Sequence, residues 1–173
     1  MRLTALAMTG VLELAGCGDP AVSEPAPGSG VEAQPRPSAL MTEAMSSPVG
    51  LVRALYQAPA APTEPMAVRR YFTEEFVAGL APPAGEAGPV NFDYRFGGPG
   101  AEILNLEVSE TASGPAGARV EARFDSFGEP KVVAWDLCRH AEGGWRVTNV
   151  ASLEDRWSLR DILELPAATA GAC

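Results

Sequence analysis

One histidine, one lysine and three cysteines among 173 residues leave little room for several common chemistries. The lone imidazole, His140, excludes a His-rich metal centre, and no G-x-S-x-G motif offers it a nucleophile, so a solvated turn residue is its expected role. Neither a zinc-type cysteine pattern nor a D-x-D-x-D-G calcium loop occurs, and no metal or organic cofactor is expected. Positive charge is also scarce. A formal net charge of -9 lacks the basic stripe that DNA or RNA binding needs and disfavours adhesion to anionic headgroups. Lys131 is the only lysine, which with abundant alanine, glycine and proline reflects base composition. Long apolar runs are missing: Leu3 to Leu12 falls far short of the ~20 residues a membrane span requires. No alternating βαβ pattern and no internal repeat is present.

That short apolar run leads into Leu14-Ala15-Gly16-Cys17, which has the form of a bacterial lipobox. Cleavage before a lipidated cysteine makes 1–16 a signal peptide and Cys17 the site of lipid attachment, anchoring the chain to the cell envelope. Gly18 rather than aspartate follows, which favours the outer over the inner membrane, with the domain facing the periplasm. Glu13 and the single Arg2 are weak points of the signal, and a soluble protein with an accidental LAGC is the alternative. The stretch 17–47 is rich in Pro, Ala, Gly, Ser and Glu and reads as a disordered tether, with a span of about 30 Å as flexible coil.

A single domain is expected over 48–166. Ser47-Pro48 sets an N-cap and first-turn proline for a helix to about Gln57, with Val49, Val52, Leu55 and Tyr56 on one face. Pro65 opens a second helix through Val68, Tyr71 and Phe72, and Thr73 offers a fresh N-cap before Phe76, Val77 and Leu80. Phe92, Tyr94 and Phe96 alternate as a short edge strand or a packed loop. Clear strands follow. Leu104, Leu106 and Val108 alternate with polar residues, as do Ala118, Val120, Ala122 and Phe124, giving each strand one dry face. Lys131 to His140 is apolar on both sides and belongs at the centre of the sheet, and Glu142-Gly143-Gly144 turns into Trp145 to Val150. Ser158 to Asp161 resembles a capping box for a closing helix that ends at Pro166. The expected fold class is therefore α+β, with helices covering one side of an antiparallel meander.

If Cys17 carries lipid, Cys138 and Cys173 remain as one pair in an oxidising compartment, and a disulfide between them would pin the tail, 167–173, to the sheet. Two free thiols are the alternative.

Tyr71-Phe72-Thr73-Glu74-Glu75-Phe76, Gly144-Trp145-Arg146-Val147 and Ser158-Leu159-Arg160-Asp161-Ile162-Leu163, taken in that order, resemble the bacterial lipoprotein and periplasmic domains of the nuclear-transport-factor-2-like superfamily. The resemblance runs from Pro48 to Leu165 and implies a cone of helices on a curved antiparallel sheet, sometimes with a pocket between. It implies no general activity. Members often carry an acid near the end of the tryptophan strand, where this chain has Asn149.

Related cones become isomerases by placing a carboxylate and a tyrosine in an apolar pocket, so Asp136 with Tyr71 or Tyr94 is the candidate pair. Alternation, however, puts Asp136 on the face opposite Trp135 and Leu137. Trp135, Trp145, Phe124 and Phe127 either line a pocket or form core. Glu107, Glu121 and Asp125, interleaved with Arg119 and Arg123, read as a solvated mixed-charge face. No catalytic residue is assigned. The expectation is a non-catalytic envelope lipoprotein, held at the membrane through Cys17, that binds a protein partner. A small apolar-ligand carrier or isomerase-like enzyme of the same fold, and an immunity lipoprotein against a periplasmic toxin, are the alternatives.

Overall fold

A computed structural model describes residues 45–83, 85–97, 102–115, 117–168 and 173. The signal segment, Cys17 and the tether up to residue 44 lie outside the described residues, as does 169–172 of the tail. The elements all belong to one unit, 35–173. Among the described residues no helix is long and apolar enough to cross a membrane.

Helix α1 spans Pro48–Gln57 and starts as its sequence dictates: the Ser47 hydroxyl accepts from the Gly50 N–H at 3.0 Å, with proline in the first turn. Leu51, Val52, Leu55 and Tyr56 form its buried face. The helix stops where Ala58, extended ahead of Pro59, leaves the α region. Helix α2 spans Pro65–Tyr71; a 3-10 turn, Glu74–Phe76, and the one-turn helix α3, Val77–Leu80, follow it. Thr73 stands at the start of that turn but makes no side-chain cap. Its hydroxyl instead donates to Glu75 Oε1 at 3.3 Å, and its N–H to the Val147 carbonyl, so the chain here is held by the sheet edge.

Five antiparallel strands follow in meander order: β1 Leu104–Ser113, β2 Gly117–Ser126, β3 Glu129–Arg139, β4 Trp145–Ser152 and β5 Trp157–Ser158. The single-turn helix α4, Leu159–Ile162, closes the chain; Ser158 Oγ caps it through the Asp161 N–H. β3 is the central strand, as its two-sided apolar pattern requires. β2 keeps strict alternation, burying Ala118, Val120, Ala122, Phe124 and Ser126. The expected dry face of β1 does not form. Leu104 and Leu106 are exposed and only Val108 is buried: among the described residues no other element covers the start of this edge strand, where Asn105 sits at φ 56° and the register with β2 shifts between Leu104 and Glu107. The Phe92 to Phe96 segment is a packed loop, with Tyr94 and Arg95 buried.

Aromatic rings fill the layer between helices and sheet. Trp135 of β3 meets Tyr56 of α1 edge-on at 5.9 Å and Tyr94 at 6.4 Å, and Tyr94 meets Phe72 at 5.6 Å. Such pairs contribute about 0.5–1.5 kcal/mol each beyond their buried area. The Trp135 indole N–H has no acceptor in hydrogen-bond geometry among the described residues, although it lies close enough to the Tyr56 hydroxyl to oppose the rise that burial imposes on that phenol. Cys138 and Cys173 form a disulfide, with Cα atoms 5.5 Å apart, which ties residue 173 to the end of β3.

Candidate functional site

The residues proposed for a pocket do not converge on one cavity, although two of them touch. Tyr94 and Trp135 are core, locked in the ring contacts above, and Tyr71 is half-buried on α2. Asp136 lies on the other face of the sheet, where Arg119 donates from Nε at 2.8 Å and Nη2 at 3.1 Å to its two oxygens. Trp145 is buried at the far end of β4, its ring under the Arg139 guanidinium at 5.8 Å. Phe124 is core, whereas Phe127 is neither core nor pocket: it projects from the β2–β3 turn with 72% of its surface exposed.

Two buried arginines, which no local pattern announced, hold the helical layer. Arg95 donates to both oxygens of Asp93 and, from Nη1, to the Leu55 and Ala58 carbonyls at 2.8 and 2.7 Å. A cation thus closes the C-terminus of α1, where unpaired carbonyls and the helix dipole favour it. Arg160 donates from Nη1 to Glu75 Oε1 at 2.6 Å and to the Thr148 carbonyl at 2.9 Å, and from Nε to Pro166 O at 2.7 Å. It clasps the 3-10 turn, β4 and the chain after α4 together.

Beside Arg160 and the disulfide lie two clefts that share Thr73, Glu74 and Cys173. One, of about 370 Å³, carries Glu75, Thr148 and Arg160; the other, of about 280 Å³, carries Arg69, His140, Glu142 and Arg146. Their chemistry suits fixed ion pairs better than proton transfer. The hydrogen bond from Arg160 holds the Glu75 carboxyl below its usual range, and Arg69 does the same for Glu74, whereas a general acid needs its carboxyl raised. His140 Nδ1 is taken up by the Glu142 N–H at 3.3 Å. Among the described residues no three His, Cys, Asp or Glu side chains converge as metal ligands do.

The third feature is one end of the sheet. Antiparallel register brings the start of β1, the β2–β3 turn and the β4–β5 turn to the same end: Leu104 pairs with Asp125, Ser126 with Glu129, and Val133 with Ser152. Leu104, Phe127 and Leu153 are all exposed there, with Leu106 just inward on the edge strand. Three of the four non-glycine residues at positive φ among the described residues stand at this end, Asn105 at 56°, Phe127 at 52° and Arg156 at 56°. Each such residue costs about 1–2 kcal/mol of backbone strain, less for asparagine. Phe127 and Gly128 form a two-residue turn with both φ values positive, the pattern for which Asn-Gly is the preferred pair.

The loops that carry these side chains are braced. Asn105 Nδ2 donates to Asp125 at 2.7 Å; Lys131 reaches both oxygens of Asp155; the Val132 N–H donates to Glu154 at 2.9 Å and the Leu153 N–H to Val132 O at 3.2 Å. Register and hydrogen bonds put four carboxylates, of Asp125, Glu129, Glu154 and Asp155, at this end of the sheet, with two cations, Lys131 and Arg156, in the same turns and strand starts. Phe127 is legible as an aromatic in a turn, since Ser126-Phe127-Gly128 interrupts two alternating runs, but grouping it with Trp135, Trp145 and Phe124 as pocket lining or core hides the signal. No known protein family, curated protein or solved structure matches the chain.

Proposed function

We propose that this protein is a non-catalytic accessory module of the bacterial cell envelope, tethered through acylated Cys17, and that it binds a protein partner through the strained end of its sheet. The observation that carries the reading is the coincidence, at one end of the fold, of exposed Leu104, Phe127 and Leu153 with braced, left-handed backbone. Exposed apolar side chains grouped on a rigid frame are what an interface presents and what a stable isolated domain avoids. The packed interior weighs the same way: Tyr94 and Trp135, which a ligand carrier would use to line a cavity, are spent on the core. Helices on one face of an antiparallel meander also support the nuclear-transport-factor-2-like cone as the architecture, while the lipobox, with Gly18 after Cys17, is what supports an outer-membrane, periplasm-facing location.

The test is affinity purification from cross-linked envelopes with tagged wild type beside Cys17→Ser, with fractionation and intact mass on both. One dominant envelope protein enriched with the anchored form is the expected result. Unchanged mass and location for Cys17→Ser would remove the lipoprotein premise, and a co-purifying small molecule with no protein would turn the reading toward a carrier.

A further inference from the structure

We propose that Phe127 is the anchor of this contact: its ring enters an apolar slot on a partner protein whose surface around that slot is basic. The inference rests on the accessory-module reading and names the chemistry of the partner.

The turn itself has no need of a phenylalanine. With both central φ values positive, at 52° and 82°, Asn-Gly would reverse the chain with less strain, and the ring is 72% exposed, so the fold gains little by burying it. A large side chain held in a disfavoured backbone conformation and left in water is one whose use lies outside the fold. An aromatic ring has few rotatable bonds and much contact area, which makes it an efficient hot-spot group when its loop is already rigid. The loop is rigid: the Ser126 and Glu129 pair closes the turn, and the neighbouring turn is pinned to β3 through Val132, Glu154, Lys131 and Asp155.

Charge selects the kind of partner. The surplus of carboxylates over cations at this end of the sheet repels anionic phospholipid and equally repels the same end of a second copy, whereas a basic rim on a different protein complements it.

The experiment places photoreactive p-benzoyl-phenylalanine at position 127 of the full chain in the cells that make it, with position 66 as control, since Met66 is as exposed but lies on α2, away from this end. The protein adduct formed at 127 is then purified and titrated against wild type, Phe127→Asn and Met66→Ala. The expected result is an adduct at 127 and not at 66, binding weakened about tenfold or more by Phe127→Asn and untouched by Met66→Ala, and affinity that falls as salt rises. Phe127→Asn is expected to melt a few degrees higher than wild type, so that binding and stability move in opposite directions, which unfolding cannot imitate. A lipid adduct, an adduct of twice the chain mass, no adduct, or equal binding by Phe127→Asn each overturns the inference. An envelope partner found with the anchored chain but indifferent to Phe127→Asn overturns it and leaves the accessory-module reading standing; no partner in either experiment removes both.

Discussion

At one end of the sheet the chain reverses from β3 to β4 through Gly143 and Gly144, at φ 92° and 78°; at the other it reverses through Phe127 and Arg156, at 52° and 56°. The first end uses the residue that adopts left-handed backbone freely, and it is finished by a disulfide and by the Arg139 guanidinium over Trp145. The second has a glycine at Gly128, φ 82°, but also holds Phe127 and Arg156, which resist the conformation, and leaves Leu104 and Leu153 in water. Identical topological tasks thus have a relaxed solution and a strained one in the same molecule. The difference separates what the fold requires from what it merely carries, and it is the strained end that has room for a purpose beyond folding.

The comparison sharpens most under loss of the covalent tie. The disulfide spans 35 residues, so Cys138→Ser with Cys173→Ser, or reduction of the native chain, is expected to cost about 4 kcal/mol in the chain-entropy account, read as a lower midpoint in denaturant melts. If the midpoint does not move, the first end is not the anchored one. Next in size is Arg160→Met, which removes the charge-assisted bonds to Glu75, Thr148 O and Pro166 O; a loss of about 2 kcal/mol in the same melts is expected. A neutral result would make that clasp dispensable.

Two single-turn substitutions then set the ends against each other. Gly143→Ala should lose about 1 kcal/mol although nothing lies near its missing Cβ, because only the conformation is at issue, whereas Phe127→Asn should gain about 1 kcal/mol. Shifts of the same sign would dissolve the contrast.

The smallest expected effects are those of pH. Lys131 holds the Asp155 carboxyl, and Arg160 that of Glu75, below their ordinary values; both contribute stability that is present above the unfolded-state pKa and lost as pH falls through the folded one. Thermal melts between pH 7 and 3 should therefore decline, and Arg160→Met should decline less steeply. Burial raises the Tyr56 and Tyr94 phenols well above 10, so their contribution is intact below pH 10 and is lost as pH rises beyond it. Flat melts across pH 10 to 11 would contradict the buried, closed core around Trp135.

How far each part was legible follows from the range of the interaction that makes it. The cap of α1 by Ser47, the alternation of β2 and the two-sided burial of β3 rest on contacts a few residues apart or on the strand period itself, so they stand in the sequence. The cysteine pair was legible by counting, once Cys17 was assigned to lipid. Thr73 misled because its sequence context fits a cap while the Val147 carbonyl and Glu75 take its polar groups instead. Leu104 and Leu106 misled for a related reason: alternation says which residues share a face, and not whether anything covers it.

What the sequence alone determined, then, is the class and its order: helices ahead of an antiparallel meander and a dry face rich in aromatics. Tertiary structure decided which charges are buried and which apolar groups are not. Arg160 finds Glu75 across 85 residues, Arg95 finds the last carbonyls of α1 across about 40, and strand register alone gathers Leu104, Phe127 and Leu153 at one end. Periodicity is a local property of the chain, while coverage and partnership depend on where distant segments come to rest, and that is settled only when the sheet closes its register and the helices lie down on it.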